Sequence, residues 1–336
     1  MDQTLISSVF GANGHLGNAE VTSCVLDEFE TDGLGARFYR AVLSYSSGDH
    51  ALPERMVVKR PVLTDRGEGE ARVYEGLLMH EKGLPVMTCF GIVDEAPDAP
   101  LAMFFPDLSL SHTQTKWPVI PSLARCKQAV SALAAVHARW WGRTDAIALG
   151  EPPIARHQNP AHLATFFPAF VDLVGEYLSP ARRVIFENVL DRVGALVDQR
   201  LDEGHATFQH TDSHFWNFLY PHDAARHQCV MFDWPLWNTG LAGIDLAYMI
   251  GQHLYPEHRA RFEPTLLEHY ARSLEANGVV HGHAEVRLDY RLGLLVGFLM
   301  PLMEFSWQIA PSDWVPKMEK LFAAYDDNDC GELLGA

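Results

Sequence analysis

In the first hundred or so residues, apolar positions fall in short runs that are rich in β-branched and aromatic residues and separated by turn residues, which is typical of strands. The predicted strands cover residues 20–30, 36–47, 55–61, 88–95 and 100–105. One run has helical spacing: residues 67–83 place Val73, Leu77 and Leu78 on one side, and Gly83 suits a C-cap. The pattern therefore predicts a small lobe of five strands and one main helix.

The hydrophobic spacing becomes helical after about residue 109. The predicted helical blocks cover residues 122–141 with Ser122 as N-cap, residues 161–203 with a break at Ser179-Pro180, and the chain from Ile244 to near its end. A strand-like island interrupts them at residues 206–213, 217–221 and 229–237. We expect an α+β protein whose N-terminal lobe, residues 1–106, precedes a larger and mostly helical lobe, residues 107–336.

Composition and charge narrow the class of protein. The chain has 336 residues, 48% of them hydrophobic and 21% charged, which is ordinary globular usage and enough for a sizeable core. A net charge of −17 argues against a nucleic-acid partner, because phosphate backbones are bound by clustered Lys and Arg. It does not exclude a nucleotide, which needs only one or two local cations. Solubility and a cationic substrate both account for the acidity.

The cysteines and the longest apolar run indicate the cellular compartment of the protein. Five cysteines are scattered without a C-x-x-C pair, which is typical of reduced thiols in the cytoplasm. The N-terminal residues have no basic segment followed by an apolar one, so we expect no secretory signal. Residues 292–305 are strongly apolar, but Pro301 interrupts them and they are too short for a membrane span. They predict a buried helix.

The segment "QHTDSHFWNFLY", residues 209–220, concentrates the candidate chemistry. His210, Asp212 and His214 alternate, as zinc ligands on one strand face would, and such a site would suit a metal-dependent hydrolase. His210, Asp212 and Asn217 also match the H-x-D-x-x-x-x-N spacing of a phosphoryl-transfer loop. A short hairpin later, Asp233 ends the apolar run "CVMF", where a carboxylate is costly unless it binds a cation or caps a turn.

A lysine and a glutamate earlier in the chain fit the interpretation as a phosphoryl-transfer site. Lys59 follows Met56-Val57-Val58 at the end of a predicted strand, and an inward lysine there needs an anion, which a triphosphate would provide. Glu70 on the next helix could pair with Lys59, although Glu68 and Glu75 compete for that role. A solvent-facing lysine beside surface carboxylates is the alternative.

A glycine-containing turn lies between the first two predicted strands. Gly33 and Gly35 could let the backbone close over the phosphates of a nucleotide. They do not form a full G-x-G-x-x-G, and an ordinary hairpin turn is the more frequent explanation of such glycines.

Taken together, these motifs resemble the aminoglycoside phosphotransferase and choline kinase superfamily, most closely its ecdysteroid kinase-like (CHK kinase-like) branch. The similar stretches, which span about residues 30 to 250, are "MVVKRP", "EARVYEGL", "LAMFFPDLS", "ALAAVHARWW", "HTDSHFWNFLY" and "VMFDWPLW…GIDLAYMI". The resemblance implies a bilobal protein-kinase-like fold. It also implies ATP- and Mg²⁺-dependent phosphorylation of a hydroxyl group on a small molecule.

The resemblance assigns roles to individual residues. Lys59 would hold the α- and β-phosphates and Glu70 would pair with it, Asp212 would be the catalytic base, and Asn217 and Asp233 would bind magnesium. His210 would be structural, Asp245 would support the catalytic loop, and packing is the best interpretation of His137. Phe105 and Asp107 flank Pro106 at the interlobe hinge and would bind the nucleotide there. Because Pro106 has no N–H, a hydrogen bond to adenine would have to come from Phe105 or another neighbour.

Three departures from the family pattern stand out: Thr211 replaces the usual glycine of the catalytic loop, Pro106 alters the hinge, and the glycine-rich loop is degenerate. A kinase-shaped nucleotide-binding protein without catalysis remains an alternative, as does the metal hydrolase. The acceptor is left open among a natural product, an antibiotic, an amino alcohol and a sterol-like alcohol. An apolar acceptor pocket could be lined by four tryptophans, although core packing explains any single one: Trp234, Trp237, Trp307 and Trp314.

Overall fold

The computed structural model describes residues 2–30, 35–48, 50–62, 64–94, 101–150 and 159–335. The chain divides into two compact units. The first unit consists of residues 1–113, 148–150 and 221–236, and the second of residues 114–147, 151–220 and 237–336. The segment that carries Asp233 is therefore part of the first unit, and the segment that carries Asp212 is part of the second.

The first unit is built on one antiparallel sheet. Its strands are β1 (Val21–Phe29), β2 (Ala36–Tyr45), β3 (Arg55–Pro61), β4 (Gly91–Val93) and β5 (Ala102–Pro106). They lie in the order β1-β2-β3-β5-β4, so β3 is central. Lys59 of β3 is opposite Phe38 on one side and Met103 on the other. The five predicted strands are confirmed.

A helix that the hydrophobic pattern did not predict covers one face of this sheet. Helix α1 (Gln3–Ala12) begins after Asp2, whose side chain accepts a hydrogen bond from the N–H of Thr4 at 2.8 Å. Ile6 and Phe10 are fully buried and join the apolar cluster that contains Met56 and Val58 of β3. Because side chains alternate along a strand, Lys59 projects from the opposite face.

Helix α2 (Thr64–Gly76) follows β3 and is shorter than predicted. The expected C-cap at Gly83 is wrong: Leu77 leaves the helical conformation with φ −140°, and a 3₁₀ turn, Leu78–His80, follows. Gly83 has a φ of +84°, but it lies beyond both elements. The apolar side chains at Leu77 and Leu78 are nevertheless buried as the spacing indicated.

The second unit is mostly helical. Its helices are α3 (Leu123–Trp140), α4 (Pro160–Ala164), α5 (Phe167–Val174), α6 (Pro180–Asp202), α7 (Ala242–Leu246), α8 (Pro256–Ala276), α9 (His283–Gly297), α10 (Leu299–Ser306) and α11 (Pro311–Asp327). Ser122 caps α3 through the N–H of Arg125, as predicted. The predicted break at Ser179-Pro180 is also confirmed, since Ser179 is the N-cap of α6. A π-helical turn, Ala247–Gln252, continues α7.

The predicted strand island is shorter than the sequence pattern indicated. Strand β6 (His112–Gln114), which was not predicted, precedes it in the chain. The island itself forms β7 (Ala206–Gln209), β8 (Phe218–Pro221) and β9 (Val230–Met231), and β10 (Asn238–Leu241) follows it. Strand β10, which was not predicted, pairs antiparallel with β7 inside the second unit. Residues 210–217 are not a strand, and they end in a 3₁₀ turn, Phe215–Asn217.

Close backbone packing holds α7 against α9. A Cβ atom placed on Gly243 would lie 2.0 Å from the carbonyl oxygen of Asp289, and one on Gly293 would lie 2.1 Å from the carbonyl oxygen of Gly243. Only glycine fits at such a distance. This contact fixes the helix that carries Asp245.

These features confirm the predicted α+β class, with an antiparallel sheet in the N-terminal region and a helical remainder. In the ranges that the structure describes, none of the helices combines the length and apolar character that a membrane crossing requires.

Candidate active site

Lys59 is the centre of a buried ion-pair cluster in the first unit. Its Nζ lies 2.6 Å from Oε2 of Glu70 on α2 and 2.6 Å from Oδ1 of Asp233. Strand β9 brings Asp233 to this position, because Met231 exchanges backbone hydrogen bonds of 2.8 Å with Pro85 and Met87. The structure thus joins three residues that the motifs had selected from distant parts of the chain.

Charge and burial distinguish the members of this cluster. Burial alone would lower the pKa of Lys59, but Asp233 and Glu70 raise it above its ordinary value, so the side chain is an ammonium at neutral pH. Burial raises the pKa of Glu70, and the charge of Lys59 opposes that rise. The side chain of Glu70 is 2% exposed and that of Asp233 is 34% exposed. Asp233 is therefore the carboxylate that a ligand from solvent can reach.

The backbone at Asp233 has an uncommon conformation. Its φ is +70°, in the left-handed region that aspartate tolerates better than most residues. The following N–H, that of Trp234, donates to Oε1 of Glu70 at 3.4 Å. This contact ties the turn after β9 to α2, and hence to Lys59.

The other residues predicted to bind the nucleotide in the first unit have ordinary structural contacts. Gly33 lies outside the described residues. Gly35 is exposed, and its carbonyl accepts from the N–H of Val62 at 2.9 Å. The Phe105 ring is buried, 5.3 Å from the ring of Tyr74. Oδ1 of Asp107 accepts from the N–H of Ser109 at 3.0 Å. None of these contacts by itself indicates a nucleotide.

The residues around the predicted hinge line an open cleft of about 680 Å³ in the first unit. Its wall includes Pro106, Leu108 and His112, together with residues 224–228. Lys59, Glu70 and Asp233 are not among its lining residues. The charged cluster therefore does not form part of the wall of this cleft.

In the second unit, Asp245 holds the backbone that leads to Asp212. Its fully buried carboxylate accepts from the N–H of His210 through Oδ2 and from the N–H of Thr211 through Oδ1, both at 2.8 Å. Oδ2 also lies 3.1 Å from Nε2 of His137. These bonds support the role that the resemblance implied for Asp245.

Thr211 occupies the position at which the family usually has glycine, and its φ is +62°. This is a strained conformation for a β-branched residue. The chain therefore keeps the loop conformation that glycine would allow, and the paired N–H contacts to Asp245 stabilise it.

Asp212 is oriented by two donors from its own unit. The hydroxyl of Tyr248 donates to Oδ1 at 2.8 Å. Nδ2 of Asn217 donates to the carbonyl oxygen of Asp212 at 2.8 Å and to Oδ2 at 3.3 Å. Burial and then Asp212 raise the pKa of Tyr248 well above 10, so it remains a donor. The side chain of Asp212 is 24% exposed, which leaves it accessible.

Asn217 and Asp233 have the donor atoms that suit magnesium. The contacts of the Asn217 amide nitrogen with Asp212 leave its oxygen for another partner, and Asp233 has a carboxylate. Amide and carboxylate oxygens are hard ligands of the kind that Mg²⁺ prefers. The two side chains belong to different compact units.

The arrangement of His210, Asp212 and His214 does not match a metal-binding strand face. Strand β7 ends at Gln209, and the positive φ of Thr211 turns the chain. Nδ1 of His210 accepts from the N–H of Asp212 at 3.2 Å. In the part of the chain that the structure describes, the ligand atoms of these three residues do not form a metal-holding group. The strand predicted over residues 206–213 is therefore wrong beyond Gln209, and the alternative of zinc ligands on one strand face loses its structural support.

Five rings form what we call the aromatic cluster beside Asp212: Trp117, His214, Trp216, Tyr248 and His253. The rings of Trp117 and Trp216 are 4.4 Å apart, and those of Tyr248 and His253 are 4.5 Å apart. Nε2 of His214 lies 3.7 Å from Oδ1 of Asp212. Burial lowers the pKa of His253 well below 6.5, so its ring is neutral. Sequence reasoning missed this cluster because its members come from separate segments.

The tryptophans considered for the acceptor pocket lie elsewhere. Trp234, Trp237 and Trp314 are at most 1% exposed and belong to the core, whereas Trp307 is partly exposed. Core packing is therefore the correct interpretation for three of the four. Trp117, at 49% exposure, is the ring of the aromatic cluster that faces solvent.

Comparison with known proteins supports the resemblance on which the motif assignments rest. Residues 160–279 match the model of the ecdysteroid kinase-like family. The matched stretch contains Asp212, Asn217 and Asp245. A comparison with curated protein sequences finds no significant match.

Solved structures share the fold over nearly the whole chain. An aminoglycoside phosphotransferase-like protein from Ralstonia eutropha JMP134 aligns at TM-score 0.60 and 13% identity, over 99% of this chain and 98% of that one. An aminoglycoside 2′-phosphotransferase-IIIa mutant in complex with GDP aligns at TM-score 0.56 and 12% identity, over 97% and 100%. A macrolide 2′-phosphotransferase from Brachybacterium faecium aligns at TM-score 0.50 and 19% identity, over 91% and 94%. The predicted kinase-like fold and superfamily resemblance are confirmed.

Proposed function

We propose that the protein is an ATP- and Mg²⁺-dependent phosphotransferase that phosphorylates a hydroxyl group of a small molecule. The observation that carries the proposal is the buried ammonium of Lys59, ion-paired with both Glu70 and Asp233. A lysine buried between two carboxylates is expensive to maintain for stability alone. It is well suited to hold the phosphates of a nucleotide beside a metal-binding carboxylate.

The first unit would bind the nucleotide phosphates. Two N–H groups of the Lys59 ammonium are directed to Glu70 and Asp233, and the third would donate to a phosphate oxygen. The cluster of two carboxylates and one ammonium has a net charge of −1. It therefore suits a nucleotide that binds together with a cation. Magnesium, held by Asp233 and Asn217, would neutralise charge that develops on the phosphates.

The second unit would supply the base. The Asp212 carboxylate would accept the proton of the acceptor hydroxyl as its oxygen forms a bond to the γ-phosphorus and the bond from that phosphorus to the leaving ADP oxygen breaks. The products are a phosphate monoester and ADP. Tyr248 and Asn217 would keep the carboxylate oriented throughout, because each already donates to one of its oxygens.

The aromatic cluster supports the location of the acceptor. Nδ1 of His214 and Nε1 of Trp216 are buried and have no hydrogen-bond partner among the described residues. Unsatisfied buried donors and acceptors are costly, and a polar ligand beside Asp212 would satisfy them. The similar structures include an aminoglycoside and a macrolide phosphotransferase, so acceptors of both chemical classes belong in a screen.

Binding experiments test the first half of the proposal. Calorimetric titration with Mg²⁺-ATP should give one site per chain. The same titration with Mg²⁺-GTP is included because one similar structure is a GDP complex, and the two affinities show whether the protein prefers adenine or guanine. Lys59→Ala should weaken binding by about tenfold or more, which corresponds to one lost charged hydrogen bond. Lys82→Ala, an exposed lysine of the same unit, should bind as the wild type does. Equal affinity of the two variants would reject this nucleotide site.

Turnover separates the enzyme from the alternatives. Nucleotide binding without phosphorylation of any alcohol in a broad panel would favour a kinase-shaped binding protein. The five free cysteines are consistent with the reducing cytoplasm, in which we propose that the protein acts.

A further inference from the structure

A second cluster of ionisable side chains lies in the second unit, separate in sequence from the residues assigned to phosphoryl transfer. His205 precedes β7, His281 precedes α9, and Asp289 lies on α9. One ligand atom of each lies within 4.8 Å of the others. Across the described ranges, this is the group of three or more His, Cys, Asp or Glu residues whose ligand atoms converge.

The two imidazoles are set side by side with incomplete hydrogen bonding. Their ring centroids are 4.9 Å apart, and the ring of Trp141 packs 4.8 Å from that of His281. Nε2 of His281 lies 2.8 Å from Oδ2 of Asp289. Nδ1 of His205 is shielded from solvent and has no hydrogen-bond partner in the described part of the chain. A buried nitrogen lone pair or N–H without a partner is unfavourable unless a ligand occupies it.

The charges around the cluster do not balance. Arg200 donates through Nε to Asp289 at 2.6 Å, through Nη1 to Glu203 at 2.5 Å, and through Nη2 to Glu285. Three carboxylates therefore share one guanidinium, which leaves two negative charges among these four side chains. A divalent cation would restore neutrality.

We propose that His205, His281 and Asp289 bind a divalent transition-metal ion, with zinc as the probe that fits the ligand set. Two imidazoles and one carboxylate are borderline-to-hard donors that zinc accepts, with a water molecule as the fourth ligand. Zinc-to-ligand distances of about 2.0–2.2 Å require ligand atoms about 3.5 Å apart. Ligand atoms that now lie up to 4.8 Å apart would therefore approach one another, and the 2.8 Å contact between His281 and Asp289 would open as both bind the ion. The carboxylates of Glu203 and Glu285 are 45% and 48% exposed, which gives the ion a charged path from solvent.

Such an ion would connect parts of the second unit that are distant in sequence. His205 precedes the strand that leads to Asp212. Asp289 lies in α9, and its carbonyl oxygen packs on Gly243. The metal would thus join the beginning of β7 to the helix against which α7 is held. Because it binds only the folded unit, it should raise the melting temperature progressively as its concentration increases above the dissociation constant.

Metal titration of the full chain tests the inference independently of any enzymatic activity. Protein stripped with a chelator and then freed of it is titrated with zinc by calorimetry, and with cobalt by visible absorption. Magnesium is held in excess throughout. The wild type should bind one zinc ion, show the absorption of low-coordinate cobalt, and gain thermal stability. His283→Ala, which removes an exposed neighbouring histidine, should behave as the wild type does.

His205→Ala is the decisive variant, because Nδ1 of His205 makes no hydrogen bond whose loss would unfold the unit. It should weaken zinc binding by about tenfold or more. It should also remove the cobalt band and retain the wild-type circular dichroism. His205→Gln gives a second test if the alanine variant is unstable. Absence of stoichiometric binding by the wild type would overturn the proposal, and so would equal zinc affinity of a folded His205 variant.

Discussion

Replacing Thr211 by glycine should stabilise the protein, although the substitution deletes a buried side chain. Thr211 has a φ of +62° and is 3% exposed. Its Oγ1 is buried without a hydrogen-bond partner among the described residues. Both features are unfavourable for threonine, and glycine removes both while keeping the N–H that donates to Asp245.

The expected magnitude follows from opposing contributions. A left-handed conformation costs an L-residue about 1–2 kcal/mol, and an unsatisfied buried hydroxyl costs about 1–3 kcal/mol. Against this, glycine loses about 1 kcal/mol more conformational entropy on folding, and the buried methyl group is worth about 0.8 kcal/mol. We expect Thr211→Gly to increase the free energy of unfolding by about 1–2 kcal/mol, which corresponds to a rise of about 2–6 °C in Tm.

Urea denaturation followed by circular dichroism, together with calorimetry, measures this change. Thr207→Gly is the matched control, since Thr207 is fully buried in β7 and its Oγ1 donates to the carbonyl oxygen of His137 at 2.7 Å. That variant should lose about 2–3 kcal/mol. If Thr211→Gly is destabilised as much as Thr207→Gly, the strain attributed to the loop is refuted.

The remaining predictions concern the ion pairs and the oriented carboxylate. Glu70→Gln should reduce nucleotide affinity about tenfold by calorimetry, whereas Glu68→Gln, an exposed change on the same helix, should not. Tyr248→Phe removes the donor to Asp212 and should lower turnover without changing nucleotide affinity; unchanged turnover would show that this bond does not matter. Burial lowers the pKa of Lys320 to about 8 from 10.5, so the unfolded state binds more protons in that interval and stability rises with pH there. Lys320→Met should lose this rise of stability with pH. Solvent screening keeps the rise below about 1.4 kcal/mol per pH unit. Urea denaturation midpoints measured between the two pKa values of Lys320 give its size.

The predictable part of the fold was the part that local pattern determines. Short runs rich in β-branched and aromatic residues, separated by turn residues, identified all five strands of the sheet, and Ser179-Pro180 located the beginning of α6. Helix α1 was missed, although Asp2 as N-cap with Ile6 and Phe10 four residues apart was a usable signal. The C-terminus of α2 was predicted too far along the chain, at Gly83. The helix ends before Leu77, and that end depends on tertiary packing rather than on a cap residue.

The candidate site likewise contains contacts that local sequence patterns predict and contacts that they do not. Lys59 and Glu70 follow each other along a strand and a helix, and their pairing could be predicted from local order. The contact of Tyr248 with Asp212 depends on a π-helical turn, which no local pattern indicated. The aromatic cluster, and the histidines at 205 and 281, assemble from residues far apart in the chain. Such contacts depend on the tertiary packing of separate elements, which local sequence patterns do not specify.

The central claim is that Asp212 accepts a proton from an acceptor hydroxyl during phosphate transfer. The direct test incubates wild-type protein and Asp212→Asn with Mg²⁺-ATP and a panel of aminoglycoside, macrolide, amino-alcohol and sterol-like alcohols, and detects phosphorylated product by mass spectrometry. The wild type should form a phosphate monoester. Asp212→Asn should form none and should still bind the nucleotide with unchanged affinity. Product formation by Asp212→Asn at a rate near that of the wild type would contradict this claim.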